Sequence, residues 1–160
     1  MTAAHDEKET LTVDVIIPEH ADRTTTALFR RTREALIAKW NRCYVCGALH
    51  TPESPLEAHH HPIERSIAEL IDWKRLERDC RAGMWGEPAA LFDWDHFDPA
   101  DPYAFVDDMR VNGLLLCKAH HTGTDEGIHT MPYPLWLAQR YAREGYQFTP
   151  AEVIHHEEPQ

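Results

Sequence analysis

Two short spacings constrain this chain more than any other feature of it. Cys43 and Cys46 stand two residues apart in "CYVCG", and Cys117 and His120 stand two residues apart in "LCKAH". Thiolate and imidazole are the donors zinc prefers, and two such pairs can close a tetrahedral site. Four protein donors leave no open position, which is the structural pattern of zinc rather than the catalytic one. One ion held by both pairs would tie points with 70 residues between them. The fold must then bring a tight knuckle near residue 45 against the chain near residue 117.

Other readings of the four cysteines fit less well. Disulfides need an oxidising compartment, which nothing in the sequence indicates. A thioredoxin-like redox pair follows a β-strand, whereas a helical pattern leads into Cys43. Cys80 has no partner at ligand spacing and reads as a half-buried helix residue.

Along the chain, "LTVDVII" (Leu11 to Ile17) predicts a short strand ended by Pro18. Thr24 to Arg42 predicts a helix, with Leu28, Leu36 and Trp40 at helical intervals and threonines available as caps. "TPESP" (Thr51 to Pro55) is a turn and "LEAHHHP" an extended segment. Ile63 to Gly83 predicts one long amphipathic helix closed by Gly83. Met84 to Asp108, rich in Pro, Asp and aromatics, predicts an irregular insertion with one helical turn. "VNGLLLC" predicts a strand, "KAHHTGTDEG" begins as a helix, and Tyr133 to Tyr146 predicts a last helix before an acidic tail. The expected organisation is therefore an N-terminal strand and helix (1–42), a central zinc-bearing domain (43–132) with an insertion at 63–110, and a C-terminal helix and tail (133–160).

The 160 residues suit one domain with a modest core, and no apolar run is long enough for a membrane span. The opening "MTAAHDEKETL" lacks the apolar stretch of a signal peptide, so a cytoplasmic location is the expectation. The net charge of −11 argues against a general nucleic-acid coat, because phosphate repels a net anion. The charge is uneven, however. From Arg23 to Arg81, 11 Lys/Arg stand against 8 Asp/Glu, while the rest of the chain has 5 against 19. That distribution leaves room for a phosphate-facing surface.

Histidine is abundant at 12, and eight of these lie between His50 and His129. With Cys117 and His120 assigned to zinc, His121 is left beside them, and His59 and His60 are left in "EAHHHP". Two imidazoles can hold a divalent cation while a third activates water, and an asparagine stands nearby. Other metal and phosphate motifs are missing: there is no His-Glu-x-x-His, no deaminase signature and no glycine-rich phosphate loop.

The segments "CYVCG", "EAHH", "NGLLLC" and "HH" together resemble the HNH nucleases, whose core is a ββα-metal finger, and the paired knuckles resemble their zinc-stabilised branch. Asn112 and His121 stand nine apart, as the family's Asn and helix His do. The resemblance implies an α+β fold with a ββα-metal core, a structural zinc site, flanking helices and a long insertion. It implies that His59 is a metal ligand, His60 the general base, Asn112 the orienting residue and His121 a second ligand. Asp125 stands where some members have a third ligand, and His129 is a further candidate. The register with His60 as ligand and His61 as base stays open. The resemblance runs from Cys43 to about Pro132, with 51 residues between His60 and Asn112 where most members have a far shorter link. The ending "GIHTMPYPLWLAQRYAREGYQF" resembles phage- or prophage-encoded HNH-like proteins.

The implied activity is metal-dependent hydrolysis of DNA phosphodiesters, with structural Zn²⁺ and a divalent cation (Mg²⁺, Mn²⁺ or Zn²⁺) at the catalytic site. Two other readings belong to different classes. One is a zinc-stabilised binding or assembly module with this fold and no turnover. The other is a protein-interaction or inhibitory factor acting through its acidic surface.

Overall fold

A computed structural model describes residues 24–133 and residue 136. The strand expected over Leu11–Ile17, the acidic tail, and the last expected helix apart from Tyr133 and Trp136 lie outside these residues. The described chain is α+β: short helices surround one two-stranded antiparallel sheet. No described helix is long and apolar enough to cross a membrane.

Helix α1 (Ala27–Trp40) forms where the sequence places it. Thr26 caps it, its hydroxyl accepting from the Phe29 N–H at 3.0 Å. Asn41, in the left-handed region at φ 46°, closes its other end. The inner face is anchored by a polar group as well as by Leu36. Buried Thr32 donates its hydroxyl to the Leu28 carbonyl at 2.8 Å and accepts from the Met109 N–H at 3.0 Å. That second bond fastens α1 to the turn just before the sheet.

Strand β1 (Glu57–His60) pairs with β2 (Gly113–Leu116), with Glu57 opposite Leu116 and His60 opposite Gly113. One turn of helix, α5 (Lys118–Thr122), follows β2 after a single residue, Cys117. Gly113 is required by close approach. A Cβ there would lie 2.4 Å from the Met109 carbonyl oxygen, so any other residue would push the preceding turn off the hairpin. Leu36 of α1, Cys43, Leu56, Met109, Leu115, Leu116 and Trp136 make one buried cluster around this hairpin.

The segment between the strands departs from expectation twice. The single helix predicted over Ile63–Gly83 is broken. A 3-10 turn at Arg65–Leu70 gives way to extended backbone at Ile71, and α2 (Trp73–Arg81) starts afresh. The cause is Asp72, whose carboxylate accepts from the Arg75 N–H at 3.1 Å and offers a new helix start that competes with a continuous helix. Cys80 is fully buried rather than half-buried.

Nor is Met84–Asp108 merely irregular. It contains α3 (Glu87–Ala90), a 3-10 turn at Trp94–His96 and α4 (Tyr103–Val106). Their side chains build a second core with Trp73, Leu76 and Cys80. Phe105 sits at its centre, with Trp73, Phe92 and Trp94 rings at centroid distances of 5.1–5.7 Å. Aromatic density here does the work that regular helix or strand periodicity does elsewhere.

Phe105→Ala is expected to lower the unfolding free energy in urea by about 3–5 kcal/mol, the usual cost of emptying a buried aromatic site. A loss of under about 0.5 kcal/mol, the range of an ordinary surface substitution, would show that the insertion has no core of its own.

Candidate functional site

The knuckle is a tight turn. Cys43 accepts from the Gly47 N–H at 3.0 Å and donates its own N–H to the Ala48 carbonyl at 2.8 Å. Gly47 takes φ +74°, which a side chain would strain. The Tyr44 N–H donates to the Leu115 carbonyl at 2.7 Å, which lays the knuckle along the end of β2. Cys43, Cys46, Cys117 and His120 thereby meet, with ligand atoms all within 4.8 Å of one another. The Cys46 and Cys117 sulfurs are 3.9 Å apart, and His120 Nδ1 lies 3.9 Å from Cys43 Sγ and 3.1 Å from Cys117 Sγ. A tetrahedral ion with Zn–S bonds of about 2.3 Å needs sulfurs about 3.8 Å apart. This Cys3His set can hold a metal ion such as zinc.

Its electrostatics fit a cation. Burial alone would raise the Cys43 thiol, but the His120 imidazole and nearby backbone groups bring it down to about 6. Hydrogen bonding to Cys43 raises His120 to about 9, against the opposing effect of burial. Burial, joined by the repulsion of Cys43 and Cys117, pushes Cys46 up to about 12. These shifts favour a Cys43 thiolate beside a His120 imidazolium and disfavour a charged Cys46 next to them. A divalent cation removes that conflict, because coordination deprotonates thiols outright.

On the other side of α5, three imidazoles converge. The His59, His121 and His129 ring centroids lie 5.2, 5.0 and 5.1 Å apart, nearly an equilateral triangle. Each ring offers a nitrogen within 4.8 Å of the other two. His59 is buried, and burial together with the surrounding imidazoles pushes its pKa down to about 3. It is therefore neutral across the physiological range, as a metal ligand must be. Carboxylates brace two of the rings. Glu57 Oε2 lies 2.6 Å from His121 Nδ1, and Glu64 Oε1 lies 3.1 Å from His59 Nε2. A proton on His121 Nδ1 leaves Nε2 free to donate its electron pair, the usual outer support of a ligating histidine.

His60 faces different surroundings. Its ring lies 5.4 Å from that of Phe29, and its Nε2 is 3.4 Å from Asp107 Oδ1. Arg65 Nε reaches the same oxygen at 3.2 Å, and the Thr26 hydroxyl donates to the other at 3.0 Å. Burial would raise Asp107, but the contacts to His60, Thr26 and Arg65 outweigh it and hold the carboxyl below its ordinary range. His59, His60, His121, His129, Arg65 and Asp107 all line one cleft of about 310 Å³, together with Glu64, Ser66 and Thr24–Thr26. His61 lines a different groove, beside Trp85 and Tyr133.

Asn112 is fully buried and acts as a staple. Its amide donates to the Ile63 and Val106 carbonyls at 2.8 and 2.9 Å and accepts from the Ile63 N–H at 2.9 Å. It touches the ends of the insertion rather than the His60 ring. Asp125 is exposed and stands outside the triad, whose third member is His129. The reason is local: α5 ends at Gly123, so the helical spacing that would set Asp125 one turn beyond His121 is lost. Asp107 carries no motif signal, and only the fold reveals its place against His60.

No known protein family, no curated protein and no solved structure matches the chain.

Zinc analysis of purified protein is expected to find one ion lost on Cys117→Ser, together with a lowered melting temperature. Unchanged zinc content and melting would contradict the four-ligand site. Acid should also act through His59. The unfolded chain protonates this ring near 6.5 and the folded chain only near 3, so stability present above pH 6.5 falls as pH drops between these values. His59→Gln should flatten that fall in urea midpoints measured from pH 7 to 5.5 without added divalent metal, and equal slopes would contradict the burial of the ring.

Proposed function

We propose that this chain is a metal-dependent DNA endonuclease of the HNH type, with His60 as general base. The observation that carries this reading is the composition of one cleft: three convergent imidazoles beside a fourth histidine that belongs to no ligand set and contacts an ionised carboxylate. A hairpin of β1 and β2, interrupted by the helical insertion and followed by α5, with His59 and His60 on β1 and His121 on α5, supports the reading of a ββα finger.

His59, His121 and His129 would hold the cation. When bound, a divalent ion supplies positive charge against the phosphate and the departing oxygen. The rest falls to the chain itself. Asp107 fixes the His60 ring through Nε2, which leaves Nδ1 to take a proton from water. The hydroxide formed attacks phosphorus, and the bond to the leaving oxygen breaks. Arg65, already aligned by Asp107, and the hydroxyls of Thr24–Thr26 and Ser66 line the wall where a phosphate would rest. Thr26 also caps α1, so the positive end of that helix borders the same cleft. These local donors offset the repulsion expected from a net charge of −11.

Nicking of supercoiled plasmid with Mg²⁺ or Mn²⁺, with EDTA as control, tests the reading. His60→Ala should reduce the rate by about 10²–10⁴-fold while zinc content and melting temperature stay unchanged. Nicking at the parental rate would remove His60 from the mechanism. DNA binding without any turnover in the parent would favour the inert binding module.

A further inference from the structure

A second groove, of about 990 Å³, shares no lining residue with the cleft. It runs between the Cys knuckle, the end of α1 and the loop around Met84–Pro88. Three large apolar side chains on its walls are open to solvent: Trp40 is 60% exposed, Met84 66% and Trp85 39%. In a chain carrying 27 acidic residues, none of the groove's lining residues is Asp or Glu, while Arg42 and Arg110 both are among them. Lys39 adds a third cation, its Nζ 5.3 Å above the Trp40 ring. Arg110 is already joined to Asp108, which lies outside the groove, so Arg42 and Lys39 carry most of the available charge.

Exposed aromatic faces combined with cations and no carboxylate match one ligand chemistry well: flat bases joined by phosphates, with the bases unpaired so that they can stack. An apolar helix would gain nothing from Arg42 and Lys39 and would bury them at a cost. We propose that this groove binds unpaired bases of a nucleic-acid strand, so that the preferred substrate carries a single-stranded segment beside the bond to be cut. His61 lies in the groove while His59 and His60 line the cleft, so adjacent residues of the chain connect the two sites. The link to cutting rests on the nuclease reading, whereas base binding does not.

The test uses the zinc-loaded full chain and a fluorescein-labelled oligo(dT), compared with a duplex of the same length by anisotropy. The single strand should bind about tenfold more tightly or better, and Trp40→Ala and Trp85→Ala should each weaken it about fivefold or more. Arg42→Gln should reduce the slope of log affinity against log salt by about 0.7, the contribution of one phosphate contact on a single strand. His60→Ala should leave oligo(dT) affinity intact while plasmid nicking is lost, which separates failure of the cleft from failure of the groove. The proposal is overturned if the duplex binds as well as the single strand, or if both tryptophan variants keep parental affinity with unchanged zinc content and circular dichroism. It is also overturned by a concentration-dependent dimer that Trp40→Ala dissolves, since the groove would then be an interface between copies.

Discussion

The structure depends on the meeting of Cys43, Cys46, Cys117 and His120. Residues 74 apart in the case of Cys43 and Cys117 are brought within bonding reach of one ion. The placing of α5 and its His121 beside the cleft follows from that contact. Because Cys117 is the residue between β2 and α5, fixing its sulfur fixes the direction in which α5 leaves the sheet. His120 and His121 are neighbours on that helix, so anchoring one ring turns the other toward His59. With one thiol pushed down and another pushed up, a bound cation would let three thiolates share a small space.

The triple histidine straddles the end of a strand: His59 and His60 are the last residues of β1, and His61 follows it. His59 meets two other imidazoles, His60 meets Asp107 and Phe29, and His61 meets Trp85 and Tyr133. Three identical residues thus acquire three settings. The insertion contributes directly to the second of these. Asn112 ties its two ends together, Gly113 allows its last turn to press on the hairpin, and Asp107 is delivered to the His60 ring.

Much of this was readable from residue spacing. The knuckle, α1 with its threonine cap, both strands and the Cys3His set follow from local rules about ligands, caps and turns. The convergence of His59 with His121 was implied by the zinc closure and the family resemblance rather than by a local rule. Features set by tertiary contact were hidden. Asp72 as a helix start competed with an amphipathic pattern that looked continuous through it. The second core came from aromatics without regular spacing. Asp107 is one acidic residue in an acid-rich segment until the fold buries it against His60. Asp125, named through the family resemblance, lies beyond the helix that Gly123 ends, and His129 reaches the triad through a turn that no helical period describes.

Anomalous diffraction from crystals of the zinc-loaded protein, measured on both sides of the zinc absorption edge, addresses the central claim most directly. The account predicts one strong peak at bonding distance from the sulfurs of Cys43, Cys46 and Cys117 and from His120 Nδ1. With added zinc it predicts a second peak among the rings of His59, His121 and His129. A map with no peak at the cysteines, or with the rings of residues 59 and 121 on separate faces of the molecule, would contradict it.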